Sequence, residues 1–310
     1  MEARAAQTVE DAEQYRSELT GYCYRMLASP FDAEDAVQET MVRAWRNADR
    51  FEGRSALRSW LYSIATNVCL DMLRAGKRRA RPMDLGPAQE PLFENLRTQP
   101  EATWVEPIPD PADVAVDRDT IRLAFVAALQ HLPPRQRAVL VLCEVFRWQA
   151  SEVAELLDTS LASVNSALQR ARATLGEANI APTDAEVDRE LLDRYVAAFE
   201  AYDMEALTEL IREDATQSMP PFDMWLAGRD DVLAWWFGPG IGCQGSRVIP
   251  TVSANGAPAF GQYKPAEGGG YEPWALQVLE LEDGRIKEFT FFLDTDRVFP
   301  LFGLPLRLDA

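Results

Sequence analysis

Residues 82–113 hold seven prolines. Each proline fixes its own φ and removes a backbone donor, so neither a long helix nor a central strand runs through such a segment. The chain must therefore fold as separate parts on either side of it. Within the segment periodicity is weak and Arg97 is the one basic residue. It reads as an extended linker. Residues 10–81 before it read as all helix. Val37, Met41, Ala44, Trp45 and Ala48 recur at helical spacing, with Asp32 as the expected cap ahead of Glu34 and Asp35. Phe51-Glu52-Gly53-Arg54 breaks the pattern, and Ser55 is placed to cap a second helix with the stripe Leu57, Trp60, Leu61, Ile64, Val68 and Met72. Residues 114–178 are helical again. After 180 the texture changes to helices at 185–202 and 204–212, then aromatic and β-branched runs near 246–253, 258–264, 273–281 and 285–293. That order predicts an α+β domain with a strongly bent antiparallel sheet.

A chain of 310 residues has room for two or three domains, and 47% hydrophobic with 26% charged residues is ordinary for a globular protein. No window approaches 18 apolar residues, so no membrane helix is expected. The opening MEARAAQTVEDAEQ has no apolar core of the kind a signal peptide needs. Cys23, Cys69, Cys143 and Cys243 form no CxxC pair, and His131 is the single histidine. These counts argue against a zinc site and against catalysis by a histidine base, and they read as reduced thiols in a cytoplasm. No cofactor is expected. The net charge of −18 is uneven: residues 1–178 carry −5 and residues 179–310 carry −13. Arg74, Lys77, Arg78, Arg79 and Arg81 set five cations within eight residues of the less acidic part.

The sharpest local pattern is QASEVAELLDTSLASVNSALQRARATL, residues 149–175. Val153, Leu156 and Leu157 give a first helix its apolar face, and Ala154 is small where a second helix must approach. Asp158 stands at the tight turn and tolerates left-handed backbone. Ser160 can cap a second helix whose stripe is Val164, Leu168, Ala171 and Leu175. The other face shows Ser163, Asn165, Ser166, Gln169, Arg170 and Arg172, side chains suited to base edges and phosphates in a major groove. A plain helical hairpin with a polar face has the same periodicity. The basic run likewise fits a solvated helix end, although Trp60, Tyr62, Asn67, Asp71 and Arg74 before it suit unpaired bases.

Together these residues resemble the extracytoplasmic-function class of bacterial sigma-70 family RNA polymerase sigma factors. FDAEDAVQETMVRAWRNADRFEGRSALRSWLYSIATNVCLDMLRAGKRR is similar to region 2, and LQHLPPRQRAVLVLCEVFRWQASEVAELLDTSLASVNSALQRARATL is similar to region 4. The resemblance implies two all-α domains, a helical bundle at 10–81 and a helix-turn-helix at 114–178, joined by the 82–113 linker. It implies core RNA polymerase as partner, through its β′ clamp helices and β flap, with Asp35, Gln38 and Glu39 on the clamp helices. Promoter DNA is the second partner. Phe51, Glu52, Gly53, Arg54 and Ser55 would hold a base flipped from the −10 element, and Asn67, Asp71, Arg74, Lys77, Arg78 and Arg79 would read and grip that element. Ser163, Asn165, Ser166, Gln169, Arg170 and Arg172 would read the −35 element. Asn165 and Ala167 stand where Lys and Arg are frequent in the family, which lowers the charge on that face.

The C-terminal part, 185–310, resembles SnoaL-like domains, cone-shaped α+β barrels, through LLDRYVAAFEAYDMEALTELIREDATQSMPPFDMWLAGRDDVLAWWF and EFTFFLDTDRVFPLFGLP. The linker stretch TWVEPIPD, 103–110, is similar to that of sigma factors with such a tail. One subfamily carries an Asp-Gly-Gly-Gly-Lys loop; here the nearest stretch is Glu267-Gly268-Gly269-Gly270-Tyr271, without the Asp or the Lys. Residues 186–310 hold 17 of the 30 aromatic residues, enough to line an apolar pocket. Relatives of this barrel isomerise or cyclise steroid- and polyketide-like substrates with a tuned carboxylate beside a donor. Asp223 and Asp294 are the candidate acids, Tyr263 and Trp274 the candidate donors, and Trp225 a further pocket residue. The expectation is nevertheless a non-catalytic protein with no metal, whose tail acts in cis by contact with the sigma regions or the linker. The alternative is a one-component ligand-sensing regulator, or a SnoaL-type isomerase fused to a DNA-binding module.

Overall fold

The computed structural model describes residues 11–48, 51, 57–76, 78–110, 120–176 and 189–309. They fall into two units, Met1–Arg79 with Pro111–Ala181, and Ala80–Asp110 with Pro182–Ala310.

The first unit is helical. Its opening helices are α1 (Arg16–Leu27), α2 (Pro30–Arg46) and α3 (Leu57–Ala75). The cap of α2 is Ser29 rather than Asp32: Ser29 Oγ accepts from the Asp32 amide at 3.2 Å, and Pro30 takes the first helical position. Proline has no N–H to leave orphaned and its φ suits the first turn, so the helix starts earlier than the acidic residues suggest. Leu19, Tyr22, Val37, Leu61, Tyr62 and Cys69 pack inside. Trp45, placed on the apolar stripe by spacing alone, is instead 57% exposed. Ser55 lies outside the described residues.

After the linker come α4 (Leu123–Gln130), α5 (Pro134–Leu140) with a π-turn at Val141–Val145, α6 (Ala150–Leu156) and α7 (Leu161–Gly176). Their core includes Leu129, Val139, Leu142, Val153, Val164 and Ala171. A seam joins them to α1–α3. In it Tyr62 packs on Phe146 and Trp148, at centroid distances of 5.6 and 4.9 Å, and the Arg58 guanidinium lies 4.9 Å from the Trp148 ring centre. Arg25 donates to the Gly21 carbonyl at 2.8 Å, to the Thr120 carbonyl at 3.1 Å and to its hydroxyl at 2.9 Å. Arg137, 3% exposed, donates to the Met26, Gln130 and Leu132 carbonyls and to the Gln130 side chain. Burial, with the charge of Arg78 adding to it, pulls the Arg137 guanidinium below its ordinary value.

The second unit is built on a six-stranded sheet in the order β2-β1-β6-β5-β4-β3. Its strands are β1 (Ile211–Ser218), β2 (Trp225–Ala227), β3 (Arg247–Pro250), β4 (Ala259–Pro265), β5 (Tyr271–Glu282) and β6 (Arg285–Phe292). β1 runs parallel to β6 and the other pairs are antiparallel, so the sheet is mixed rather than wholly antiparallel. Packing on it are α8 (Arg189–Ala201), α9 (Met204–Leu210) and α10 (Arg229–Phe237), with α11 (Thr295–Leu301) near the end. The core gathers Tyr195, Phe199, Leu226, Trp236, Phe260, Leu279 and Phe289.

Buried amides cross this core in one direction. The Tyr195 hydroxyl donates to Gln277 Oε1 at 2.9 Å, Gln277 Nε2 to Gln262 Oε1 at 2.9 Å, Gln262 Nε2 to Ser246 Oγ at 3.0 Å, and Ser246 to the Cys243 carbonyl at 2.6 Å.

The proline-rich segment belongs to this unit and is not a free tether. Ala80 and Trp104 form a parallel bridge, Thr98 bridges Phe222, and Pro109 bridges Ala254. Trp104, Val105 and Ile108 are buried. Ile108 and Asn255 exchange two hydrogen bonds of 3.0 Å, Asp110 Oδ1 accepts from the Gly256 amide at 2.7 Å, and Glu106 meets Arg297 at 3.1 Å. A chain this rich in proline cannot satisfy its own backbone; the barrel loop 253–256 and the wall 221–225 supply the partners.

Candidate functional site

The first candidate surface is the outer face of α2. Asp35 and Gln38 are exposed, while Glu39 is half-buried and accepts from Arg43 Nε at 2.7 Å. Arg43 also approaches Asp71 of α3 at 3.5 Å, so Glu39 is held in a network between the helices. Val42 and Trp45 are exposed and follow Gln38 at i+4 and i+7. They extend the Asp35–Gln38 strip into an apolar one. Sequence reasoning assigned Trp45 to the core. The signal against that was its place between Arg43 and Arg46 near the helix end.

The second surface lies on α3. Asn67, Asp71 and Arg74 are exposed at i, i+4 and i+7, and Arg74 donates to Asp71 at 2.8 Å. Phe51 stacks on Trp60, with centroids 5.0 Å apart and 29° between planes. Glu52, Gly53, Arg54, Ser55 and Lys77 lie outside the described residues. The basic run is not one patch. Arg78 is exposed, but Arg79 is buried and donates to Asp32 at 2.7 Å. That ion pair takes Arg79 off the surface where it was expected to meet DNA. Arg81 belongs to the other unit, beside Asp84 at 3.6 Å and Glu288 at 3.9 Å.

The third surface is α7. Asp158 takes the left-handed conformation at φ 47°, and Ser160 Oγ accepts from the Ser163 amide at 3.2 Å to open the helix. Val164 and Ala171 are buried, which turns Ser163, Asn165, Ser166, Gln169, Arg170 and Arg172 outward, all six exposed. Arg170 donates to Ser166 at 2.6 Å. Arg172 is tied to Glu144, so its charge is partly spent inside the protein.

The barrel encloses a cavity of about 260 Å³. Of the five residues expected there, Trp274 alone lines it. The others hold chain together. Asp223 Oδ2 accepts from Gln99 at 2.9 Å, Trp225 Nε1 donates to the Gly86 carbonyl at 2.9 Å, and Tyr263 donates to the Pro305 carbonyl at 2.9 Å. Asp294 stands at the start of α11, where its side chain meets Arg297 at 3.4 Å without capping the helix. The described residues around the cavity include no carboxylate, so the acids proposed for isomerase-like chemistry are not placed for it. The polar side chains lining the cavity include Gln217, Gln262, Cys243, Lys264 and Tyr202, whose hydroxyl donates to the Trp236 carbonyl at 2.7 Å. The Lys264 ammonium sits 2.9 Å from the centre of the Trp274 ring. Burial pulls it below its ordinary value, with Cys243 and Glu272 acting in the opposite sense. None of this was legible beforehand except that the tail is rich in aromatic residues.

Residues 12–79 match the sigma-70 region 2 family, residues 122–175 the sigma-70 region 4 family, and residues 192–289 the SnoaL-like domain family. The chain is 43% identical to the ECF RNA polymerase sigma factor SigG of Mycobacterium tuberculosis H37Rv over 309 residues, covering 94% of this chain and 82% of that protein. It is 31% identical to the ECF RNA polymerase sigma factor SigJ of the same organism, over 67% of this chain and 63% of that one. The crystal structure of M. tuberculosis SigJ shares the fold, with a TM-score of 0.66, 23% identity, and coverage of 96% of this chain and 99% of that chain.

Proposed function

The chain belongs to the extracytoplasmic-function class of RNA polymerase sigma factors, and on that premise we propose how its surfaces divide the work. As a sigma factor it binds core RNA polymerase and directs initiation at particular promoters. In our reading it does so in the cytoplasm and without catalysing a reaction of its own. The α2 strip docks on the β′ clamp helices, and the helix-turn-helix unit engages the β flap. Asp35, Gln38 and Glu39 supply polar complementarity; Val42 and Trp45 supply apolar area at the centre of the contact. Asn67, Asp71, Arg74 and Arg78 face the −10 element, with the Phe51–Trp60 stack beside it. Ser163, Asn165, Ser166, Gln169 and Arg170 face the −35 element.

The observation that carries this reading is the exposed Asp35–Gln38–Val42–Trp45 strip on a helix whose opposite side is fully packed. Replacing Asp35, Gln38 and Glu39 by Ala, with Trp45→Ala as a separate variant, tests it. Both proteins should keep their circular dichroism and lose at least tenfold in affinity for core enzyme. Undiminished co-purification of the folded variants with core polymerase would overturn the docking surface.

The barrel regulates this activity in cis, through the segment that joins the two DNA-reading parts. The support is that residues 80–110 fold as part of the barrel unit. Run-off transcription with core enzyme tests it: full-length Trp104→Ala should differ in promoter output from the parent, and identical output would remove the barrel from regulation.

A further inference from the structure

The cavity in the barrel has features that the sigma-factor reading leaves unused. Gln217 lines it and is 1% exposed. Its Oε1 accepts from Trp236 Nε1 at 2.6 Å. An indole nitrogen only donates, so the amide cannot be turned around, and the other end of Gln217 must be the NH2 group. That Nε2 is buried and has no hydrogen-bond partner. Gln262, which also lines the cavity, has both ends of its amide engaged. A buried donor left unmet is costly, and natural proteins rarely leave one without a use.

Two linker residues close the same cavity. Phe93 and Leu96 line it, although Phe93 is 64% exposed and held edge-on against Trp235 at 5.6 Å. The segment is secured just beyond them, where the Gln99 amide donates to the Pro221 carbonyl at 2.9 Å and the Asp223 amide to the Arg97 carbonyl at 3.0 Å. Phe222, between those two anchors, lines the cavity as well.

We infer that the barrel binds a small, neutral, ring-bearing molecule through a carbonyl oxygen that accepts from Gln217 Nε2, with the linker residues Phe93 and Leu96 as its lid. A volume of about 260 Å³ lies just under the roughly 300–1,000 Å³ of drug-sized sites. It suits one or two rings rather than a four-ring skeleton. The lining is otherwise mostly apolar and aromatic, and its single cation, Lys264, already lies over Trp274. A neutral carbonyl therefore fits better than a carboxylate. A molecule in this cavity touches the chain that links the promoter-reading parts, so occupancy would set the hold of that chain on the barrel. The binding step does not depend on the docking or DNA surfaces proposed above.

Calorimetry on the full-length protein tests this with 2-acetylnaphthalene and its carbonyl-free counterpart 2-ethylnaphthalene. The ketone should bind about tenfold more tightly, the worth of one buried hydrogen bond. It should also slow tryptic cleavage after Arg97, the one basic residue between Arg81 and Arg118. Gln217→Met keeps the side chain's length and removes the donor, and should erase the preference for the ketone. Should that variant fold poorly, Phe93→Ala alters a linker side chain that is largely exposed and meets the barrel at Trp235. It should leave the melting temperature of the free protein unchanged and weaken both probes severalfold. Equal affinity for the two naphthalenes in the parent protein, or no heat from either, would overturn the site. Ketone binding that leaves cleavage after Arg97 and the Phe93→Ala affinity unaltered would overturn the lid.

Discussion

The two units close their interiors by different means. In the helical unit, guanidinium groups lie in the seam between α1–α3 and α4–α7, where Arg25 and Arg137 serve carbonyl oxygens on both sides. Across the barrel core one run of links is uncharged: the Tyr195 and Ser246 hydroxyls and two amides hand hydrogen bonds along it. A guanidinium gives up a large hydration energy on burial and regains it on exposure, so a seam built on it separates at modest net cost. A neutral link buried among Phe289, Phe260 and Leu279 has no such return, since opening it wets the whole apolar core. The helical halves are thus joined in a way that suits parting, and the barrel in a way that suits staying shut.

That contrast can be broken most severely at Trp104. Its side chain is buried in the barrel unit, and truncation to Ala should cost about 3–5 kcal/mol. Trypsin should then cut after Arg97 much faster than in the parent. Unchanged cleavage would mean that the prolines, and not this anchor, hold the segment. Next comes Arg137→Ala, which strands the Met26, Gln130 and Leu132 carbonyls. A loss of about 3 kcal/mol, read as roughly 8 °C in melting temperature, is expected. A loss under about 1 kcal/mol would show that water already reaches the seam.

Tyr195→Phe sharpens the barrel side of the comparison. It deletes one neutral hydrogen bond, to Gln277, and leaves the ring in place. About 1 kcal/mol is expected in denaturant unfolding, well below the arginine variant. The smallest effect belongs to Asp214, on the barrel surface, whose carboxylate meets Arg212 at 2.8 Å and also Lys287. The Arg212 hydrogen bond, and then that from Lys287, hold its carboxyl well below the ordinary carboxylate range. A lowered carboxylate pKa stabilises the fold above the unfolded value of about 4, and that contribution fades as the pH falls below it. Exposure limits it: Asp214→Asn should shift stability by well under 1 kcal/mol at pH 7 and by less still near pH 2, where part of the contribution has gone. A larger shift at neutral pH would make the surface network a real support of the barrel.

Much of the helical unit was legible because its signals are local. Val164 and Ala171 at i and i+7, Asp158 before them and Ser160 as cap fix the orientation of α7 with no distant partner. Trp45 misled because periodicity records apolar character and not what lies opposite. The strand β1, Ile211–Ser218, reads IREDATQS, too polar to announce itself. It is a strand because β6 and β2 flank it, and β6 lies some 70 residues further on. In 82–110 the prolines leave only single helical turns, at Pro82–Leu85, Phe93–Asn95 and Glu101–Thr103. They carried no information about Asn255 and Gly256, nearly 150 residues away, which order that segment. The cavity was the least legible feature. The inward direction of a bent mixed sheet is set by pairings no local window contains, so Asp223 and Asp294 were named for the pocket and Gln217 was not.

The one-way run from Tyr195 to the Cys243 carbonyl has a consequence for anything that enters the barrel. The Gln277 and Gln262 amides bond to each other, so turning either one alone would break that bond. Gln262, the amide of this run that lines the cavity, therefore presents a dipole fixed by its neighbours, unable to turn toward a guest as liquid water does. A guest whose own polarity matches that fixed field finds it already paid for by folding. On the proposal above, a carbonyl placed there in the opposite sense would meet an amide that does not turn to suit it.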